Sequence, residues 1–400
     1  MTRKADIVIG AGFGDEGKGL TTDFLAYHAH YRDTWVVRHN GGAQAGHTVC
    51  TPDGKRHVFS HFSSGTYTGA KTFLSRFFAV NPALLFRELE EFDGPFPQIV
   101  VDPRCEVTTY FDMLINEIAE DARGSNRHGS VGVGYGETIE RNTHAEFRLT
   151  VAELSDIDAT RNQLERIRDH WVPKRLADLG VAEVDDTRAT FIKCNDLLER
   201  WLIDAQRFLQ HVEIFSEICL TGNRKNIIFE GAQGLLLDSE RGHFPHVTRS
   251  RTGVINACEI AATIGMTDLN IYYASRCYKT RHGAGPLDNE LAEAPYGIVD
   301  KTNKPHPYQG GLRFARLDTE SLSRTILTDF GDVPTGIKGH LHLVLTCLDQ
   351  VPEVFEYAEG CKVHRTDQET FIRRVSESVS ASHTFISRGE TRNTVSFFPI

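Results

Sequence analysis

A run near the N-terminus, Gly10-Ala11-Gly12-Phe13-Gly14-Asp15-Glu16-Gly17-Lys18-Gly19, has the makings of a phosphate cradle. Glycines let backbone N–H groups approach phosphate oxygens and a lysine adds a point charge, so Gly12 to Lys18 fits G-x-x-x-x-G-K. Gly19 stands where such loops carry Ser or Thr, the hydroxyl that usually holds Mg²⁺, which leaves Asp15 as the oxygen donor for a metal. Gly12, Gly14 and Gly17 also satisfy G-x-G-x-x-G, a dinucleotide-binding pattern that Lys18 inside the loop disfavours. A second segment, Asn40 to Thr48, sets His47 among small residues with a hydroxyl beside it. A lone histidine is more often a satisfied structural residue, yet an accessible imidazole in this setting suits acid–base work.

These groups need elements to hold them. Residues 6–9 read as a strand running into the glycine loop, and Leu20 to Ala29 as the helix leaving it. Further short β-branched runs at 34–38, 98–101, 226–229, 269–274 and 341–346 alternate with helix-like stretches. That alternation predicts an α/β fold, a largely parallel central sheet with helices on both faces. Apolar residues at helical spacing over 151–179 and 194–212 predict a helical insertion in mid-chain, about 150–215. Gly, Asn and Pro mark loops at 40–46, 124–136, 241–253, 281–286 and 305–311, most of them after a predicted strand, where parallel sheets carry ligand sites. With no internal repeat or clear linker, residues 1–400 read as one continuous domain.

Composition excludes several classes. Hydrophobic residues at 40% and charged residues at 24% are ordinary globular usage. The balance 44 − 54 = −10 implies no bulk attraction to nucleic acid or to an anionic membrane, so an anionic substrate needs a local positive site. No window approaches 18 consecutive apolar residues, and the N-terminus lacks the pattern of a signal peptide, so a soluble cytoplasmic protein is expected. The eight cysteines form no C-x-x-C pair and are expected to be reduced thiols.

Taken together, GDEGKG at 14–19 and the segment Gly41-Gly42-Ala43-Gln44-Ala45-Gly46-His47-Thr48 resemble the adenylosuccinate synthetase family. Further segments are similar in the same order: Phe229 to Asp238 (FEGAQGLLLD), Pro245 to Ser250 (PHVTRS), Thr280 to Pro286 (TRHGAGP), Thr346 to Asp349 (TCLD) and Ser387 to Gly389. The resemblance implies ligation of L-aspartate to C6 of a 6-oxopurine nucleotide, driven by GTP with Mg²⁺ through a 6-phosphoryl intermediate. It also implies a homodimer and a base-recognition part at about 340–400. By position, Asp15 would take the N1 proton and coordinate Mg²⁺ together with the Gly46 carbonyl, and His47 would donate to the transferring phosphoryl group. Lys18, with Gly14, Glu16, Gly17, Gly19 and Thr48, would hold the donor's phosphates, while Asp349, Ser387 and Gly389 would meet its base. Gln233 would bond the purine edge, and Thr248 with Ser130 or Val131, Gln44 and Arg148 would hold the substrate nucleotide.

The match breaks in places. Gln44 replaces the family's asparagine, the loop Gly129 to Gly134 loses two polar contacts, and Cys347 replaces a base-stacking lysine. The arginine-rich aspartate loop is reduced to Arg313 and Arg316, with Arg313 the expected partner of aspartate. The place of an arginine that the family lends across its dimer is His144, with Arg141 and Arg148 nearby as substitutes. Depleted loops are similar to the phage branch that makes 2-aminoadenylosuccinate from dGMP. That branch commonly carries serine at the position of Asp15, so the aspartate here favours IMP.

Overall fold

Ile7, Val8 and Ile9 are consecutive apolar residues, the mark of a strand buried on both faces. In the computed structural model, which describes residues 3–29, 33–222, 225–300, 302–303 and 308–399, they lie in β1 (Lys4–Gly10) with a parallel neighbour on each side. The central sheet continues in chain order with β2 (Asp33–Arg38), β3 (Lys71–Leu74), β4 (Ile99–Val101), β5 (Glu213–Ile214), β6 (Lys225–Glu230), β7 (Asp268–Arg276), β8 (Lys338–Thr346), β9 (His383–Ser387) and β10 (Val395–Phe398). Across the sheet the order is β10-β9-β8-β7-β1-β6-β2-β3-β4-β5, and only the β9–β10 pairing is antiparallel. The predicted parallel α/β sheet is therefore present, with its expected strands shifted at their ends by a few residues.

Alternation along β1 divides two apolar layers. Ile7 and Ile9 pack with Phe229, Ile271, Tyr273 and Leu343 beneath the helices Val254–Thr263, Thr319–Phe330 and Gln368–Ser378. Val8 faces the opposite layer, with Val36, Ile228 and Val344 under Ala26 of the helix Lys18–His28. A separate apolar cluster around Phe111, Trp171, Trp201 and Phe208 belongs to the mid-chain helices. There the 151–179 segment is a short turn, the helix Ile157–Arg166, a widened turn at Ile167–Trp171 and the helix Val172–Asp178. Pro173 lacks the N–H that would continue the ladder, which accounts for the widened turn before it. The helix Asn195–His211 matches its prediction.

The six strand readings hold: five of those runs are apolar and centrally placed, and β4, next to the sheet's edge, is legible from the consecutive buried residues Ile99, Val100 and Val101. β3, β5, β9 and β10 escaped prediction: they are short, and β5, β9 and β10 lie toward the sheet's edges, where a strand takes its state from its neighbour. The helix Asp186–Lys193 buries no residue and so carried no apolar period to read. Residues 305–307 of the expected 305–311 loop lie outside the described residues. All eight cysteines are free. Among the described residues no helix is long and apolar enough to cross a membrane.

Candidate active site

The glycine loop leaves the carboxyl end of β1 and enters the helix Lys18–His28 at Gly17, whose φ of 93° lies in the left-handed region and whose absent Cβ would meet Thr346 at 2.9 Å. No side chain caps that helix, so its first N–H groups are free to receive an anion. Gly19 has a steric reason for lacking a side chain. A Cβ there would stand 2.9 Å from the Thr48 carbonyl and 3.2 Å from the His47 Cβ, because the strand His47–Cys50 is pressed against the loop.

Asp15 is also held in the left-handed region, at φ 61°, a strained setting for a residue with a side chain. Its carbonyl accepts from Arg276 Nε at 2.5 Å, and Arg276 is buried at the end of β7 against Asp300, 3.3 Å away. The Asp15 carboxylate lies 3.6 Å from His282 Nε2. It stands between two clefts.

On one side is a cleft of about 330 Å³, lined by Asp15, Gly17, Lys18, Gly19, Gly46, His47, Thr48, Arg276, Cys347, Asp349 and Gly389 among others. His47 Nδ1 lies 2.7 Å from Glu230 Oε1, with both side chains buried. Burial lowers the imidazole to about 4 despite the neighbouring carboxylate. Glu230, although burial opposes its charge, is held down to about 2 by His47 and Arg38. Glu230 is thus the anion, and His47 is a neutral ring that donates from Nδ1 and keeps Nε2 for a ligand.

On the other side is a cleft of about 450 Å³, which gathers Gln44, Ser130, Val131, Gln233, Thr248, Arg281 and His282 from loops far apart in the chain. The helix Tyr135–Asn142 opens into it through Gly134, again with no side-chain cap. Buried polar atoms of Gln44, Gln233, His246, Arg281 and His282 have no hydrogen-bond partner in this cleft.

Several expected residues do other work. Glu16 is buried, its Oε1 accepting from the Gly12 and Gly14 N–H groups at 2.9 and 2.7 Å while Oε2 meets Lys18 Nζ at 2.9 Å. Glu16 and Gly14 therefore brace the loop from behind and do not face the cleft. The buried Ser387 hydroxyl donates to the Gly389 carbonyl at 2.7 Å, holding the turn that presents Gly389. Arg148 is exposed and lines neither cleft of this chain. Arg141 is fully buried and forks onto Asp112 at 2.9 and 3.0 Å, so it cannot substitute for a phosphate-binding arginine. Arg313 does not line the larger cleft: it pairs with Glu290 and donates to the carbonyls of Gly283 and Gly285 at 3.1 and 2.9 Å.

Four residues escaped the sequence reading. Glu230, Arg281 and His282 sit inside segments already singled out and could have been found by asking which polar side chains those segments carry. Arg276 belongs to no motif and is legible only in three dimensions.

The profile of the adenylosuccinate synthetase family matches residues 7–306. The chain belongs to this family. Adenylosuccinate synthetase of Gloeobacter violaceus is 32% identical over 294 residues, a match covering 72% of this chain and 63% of the relative. That of Nostoc sp. is 31% identical over 292 residues, covering 71% and 62%. The match thus spans less than two thirds of the length of these relatives. Among solved structures, fully ligated adenylosuccinate synthetase from Plasmodium falciparum aligns over 99% of this chain and all of that one, with a TM-score of 0.73 and 19% identity. The succinoaminodeoxyadenylate synthetase of cyanophage S-2L, bound to dGMP and dATP, aligns over the whole of this chain and 97% of that one, with a TM-score of 0.60 and 16% identity. Both share the fold.

Proposed function

We propose that this chain joins L-aspartate to C6 of a 6-oxopurine nucleoside monophosphate, IMP, using GTP. The observation that carries this reading is Asp15, fixed in a strained conformation between a cleft suited to a polyphosphate and a cleft lined with unpartnered amide groups. C6 of a 6-oxopurine is a poor electrophile because its oxygen would leave as hydroxide. Phosphorylating that oxygen supplies a better leaving group, and the site is arranged for that transfer.

In this reading Asp15 removes the N1 proton, which raises the electron density on O6 toward the γ-phosphoryl group. Lys18 and the free N–H groups of the Lys18–His28 helix meet the donor's phosphates. The approach of those anions restores the affinity of His47 for a second proton, which Nε2 then presents to the transferring group. Gln233 and Gln44 bond the acceptor, with Thr248, Ser130 and the open helix end at Tyr135 near its phosphate. Asp349 accepts from the two donors on the guanine edge, and Gly389 packs beside it.

The Asp15 carboxylate and Gly46 carbonyl suit Mg²⁺, a hard cation held by few protein oxygens and completed by phosphate and water. The described residues offer no cluster of three or more His, Cys, Asp or Glu for a softer metal. When bound there, Mg²⁺ would neutralise charge on the phosphates. We further read the 400 residues as one unit, acting as a cytoplasmic homodimer.

The test is to incubate the purified protein with Mg²⁺, L-aspartate, GTP or ATP, and each of IMP, dIMP, GMP and dGMP, and to identify succinylated products by mass. IMP with GTP should react, dIMP nearly as well because the arginine loop is depleted, and dGMP poorly because a 2-amino group crowds Asp15. Turnover of dGMP with none of IMP would assign the phage-type reaction instead.

A further inference from the structure

Four arginines line the acceptor-side cleft: Arg123, Arg175, Arg249 and Arg281. Three have carboxylate partners, Glu120, Glu137 and Glu140 respectively. Arg281 pairs with no carboxylate among the described residues, although it is the most buried of the four at 1% exposed. Its Nη1 donates to the Pro286 carbonyl at 2.6 Å, its Nη2 to the His246 carbonyl at 3.3 Å, and its Nε has no partner. The guanidinium lies 4.3 Å from the Phe13 ring centre in the glycine loop. Neutral carbonyls satisfy N–H groups but leave the charge unbalanced, and a buried unbalanced cation is costly until an anion arrives.

We propose that Arg281 receives a carboxylate of L-aspartate, the group that the sequence assigned to Arg313. This rests on the ligase reading above. Arg313 and Arg281 flank the same Gly283 to Gly285 turn, and Glu290 has already neutralised Arg313. Arg281 immediately precedes His282, which stands 3.6 Å from Asp15, so an amino acid anchored there by its carboxylate brings its amine to the purine edge that Asp15 serves. The acceptor's phosphate has a separate place, at the open helix end with Thr248 and Ser130. The unpartnered Nε–H, on a guanidinium with no counter-charge, is what this position offers a carboxylate oxygen.

The experiment compares Arg281→Gln, Arg281→Lys and Arg313→Gln by initial rates, with thermal melting of each. Arg281→Gln should raise KM for L-aspartate by about 10–100-fold, keep KM for IMP and GTP within about twofold, and largely keep kcat at saturating aspartate. Arg281→Lys should recover part of the loss, and Arg313→Gln should leave KM for aspartate within about twofold. A rise in KM for IMP with none for aspartate would make Arg281 a phosphate ligand, and equal changes in all three constants would make it a brace for the Pro286 and His246 carbonyls. Either outcome overturns the assignment. Should Arg281→Gln not fold, wild-type protein labelled with ¹⁵N-arginine decides: L-aspartate added with IMP should shift the Arg281 Nε–H resonance, and no shift refutes the contact. That measurement stands apart from turnover, so a wild type inactive on IMP would refute the ligase reading alone.

Discussion

The two clefts beside Asp15 treat their polar groups in opposite ways. On the phosphate side the basic groups already have carboxylate partners: Lys18 has Glu16, His47 has Glu230 and Arg276 has Asp300, at 2.9, 2.7 and 3.3 Å. On the acceptor side Gln44, Gln233, His246, Arg281 and His282 all keep buried atoms unpartnered. Unmet hydrogen bonds are tolerated where a ligand will meet them, and such atoms discriminate sharply because a wrong ligand leaves them buried and unpaired. On the proposed reading, the first arrangement suits a group of fixed charge and the second one recognised by shape and hydrogen-bond pattern.

The largest expected effect falls on Asp15, which lines one cleft and faces His282 of the other. Asp15→Asn should lower kcat by about 10²–10⁴ while GTP and IMP binding, followed by calorimetry, stay largely intact. Retained activity would break the view of Asp15 as the common base. Next, Glu230→Gln removes the larger of two carboxylate influences on the buried Arg38, leaving only Glu88, and should cost about 3–5 kcal/mol of stability in urea denaturation. A smaller loss would mean that the phosphate side does not depend on internal pairing.

A third effect is set by pH. Burial, reinforced by Arg38, lowers His39 to about 3, with both ring nitrogens unpartnered. Its folded value lies below the unfolded one near 6.5, so between those values the unfolded chain binds the extra proton and stability falls as pH falls. By pH 5 the loss from this one group is about 2 kcal/mol. Glu230 acts in the same direction at lower pH, its stabilisation fading as pH drops from its ordinary range toward about 2. Melting curves from pH 7.5 to 5 should show the decline, and His39→Phe should flatten it.

The smallest effect sharpens the contrast. Gln44 makes no side-chain hydrogen bond within the protein, so Gln44→Ala should leave the melting temperature nearly unchanged while raising KM for IMP about tenfold. A large loss of stability would show that the residue is structural after all.

How much of this was legible in the sequence follows the same division. On the phosphate side two short runs, Gly17 to Leu20 after Asp15 and Gly46 to Thr48, are reported by short-range spacing, while Arg276, Asp349 and Gly389 join them from far along the chain. The central strands were legible because burial on both faces leaves unbroken apolar runs. The acceptor side assembles segments near 44, 130, 175, 233, 248 and 281. Nothing in their local spacing says which arginine will find a carboxylate, and so Arg313 and Arg148 were chosen where Arg281 lines the cleft. Arg141 shows the same gap, since its partner Asp112 lies on another helix.

The buried contact between Glu16 and Lys18 bears on how ionic strength acts on this protein. With the lysine neutralised from within at 2.9 Å, the loop meets an incoming anion with oriented amide dipoles in place of a free cation. Dissolved chloride screens exposed charges over a Debye length of about 8 Å in physiological salt but finds little here to compete for. Chloride should accordingly compete little with the donor, while the uncompensated guanidinium of Arg281 leaves the amino-acid subsite as the place where a chloride ion can contend with a carboxylate.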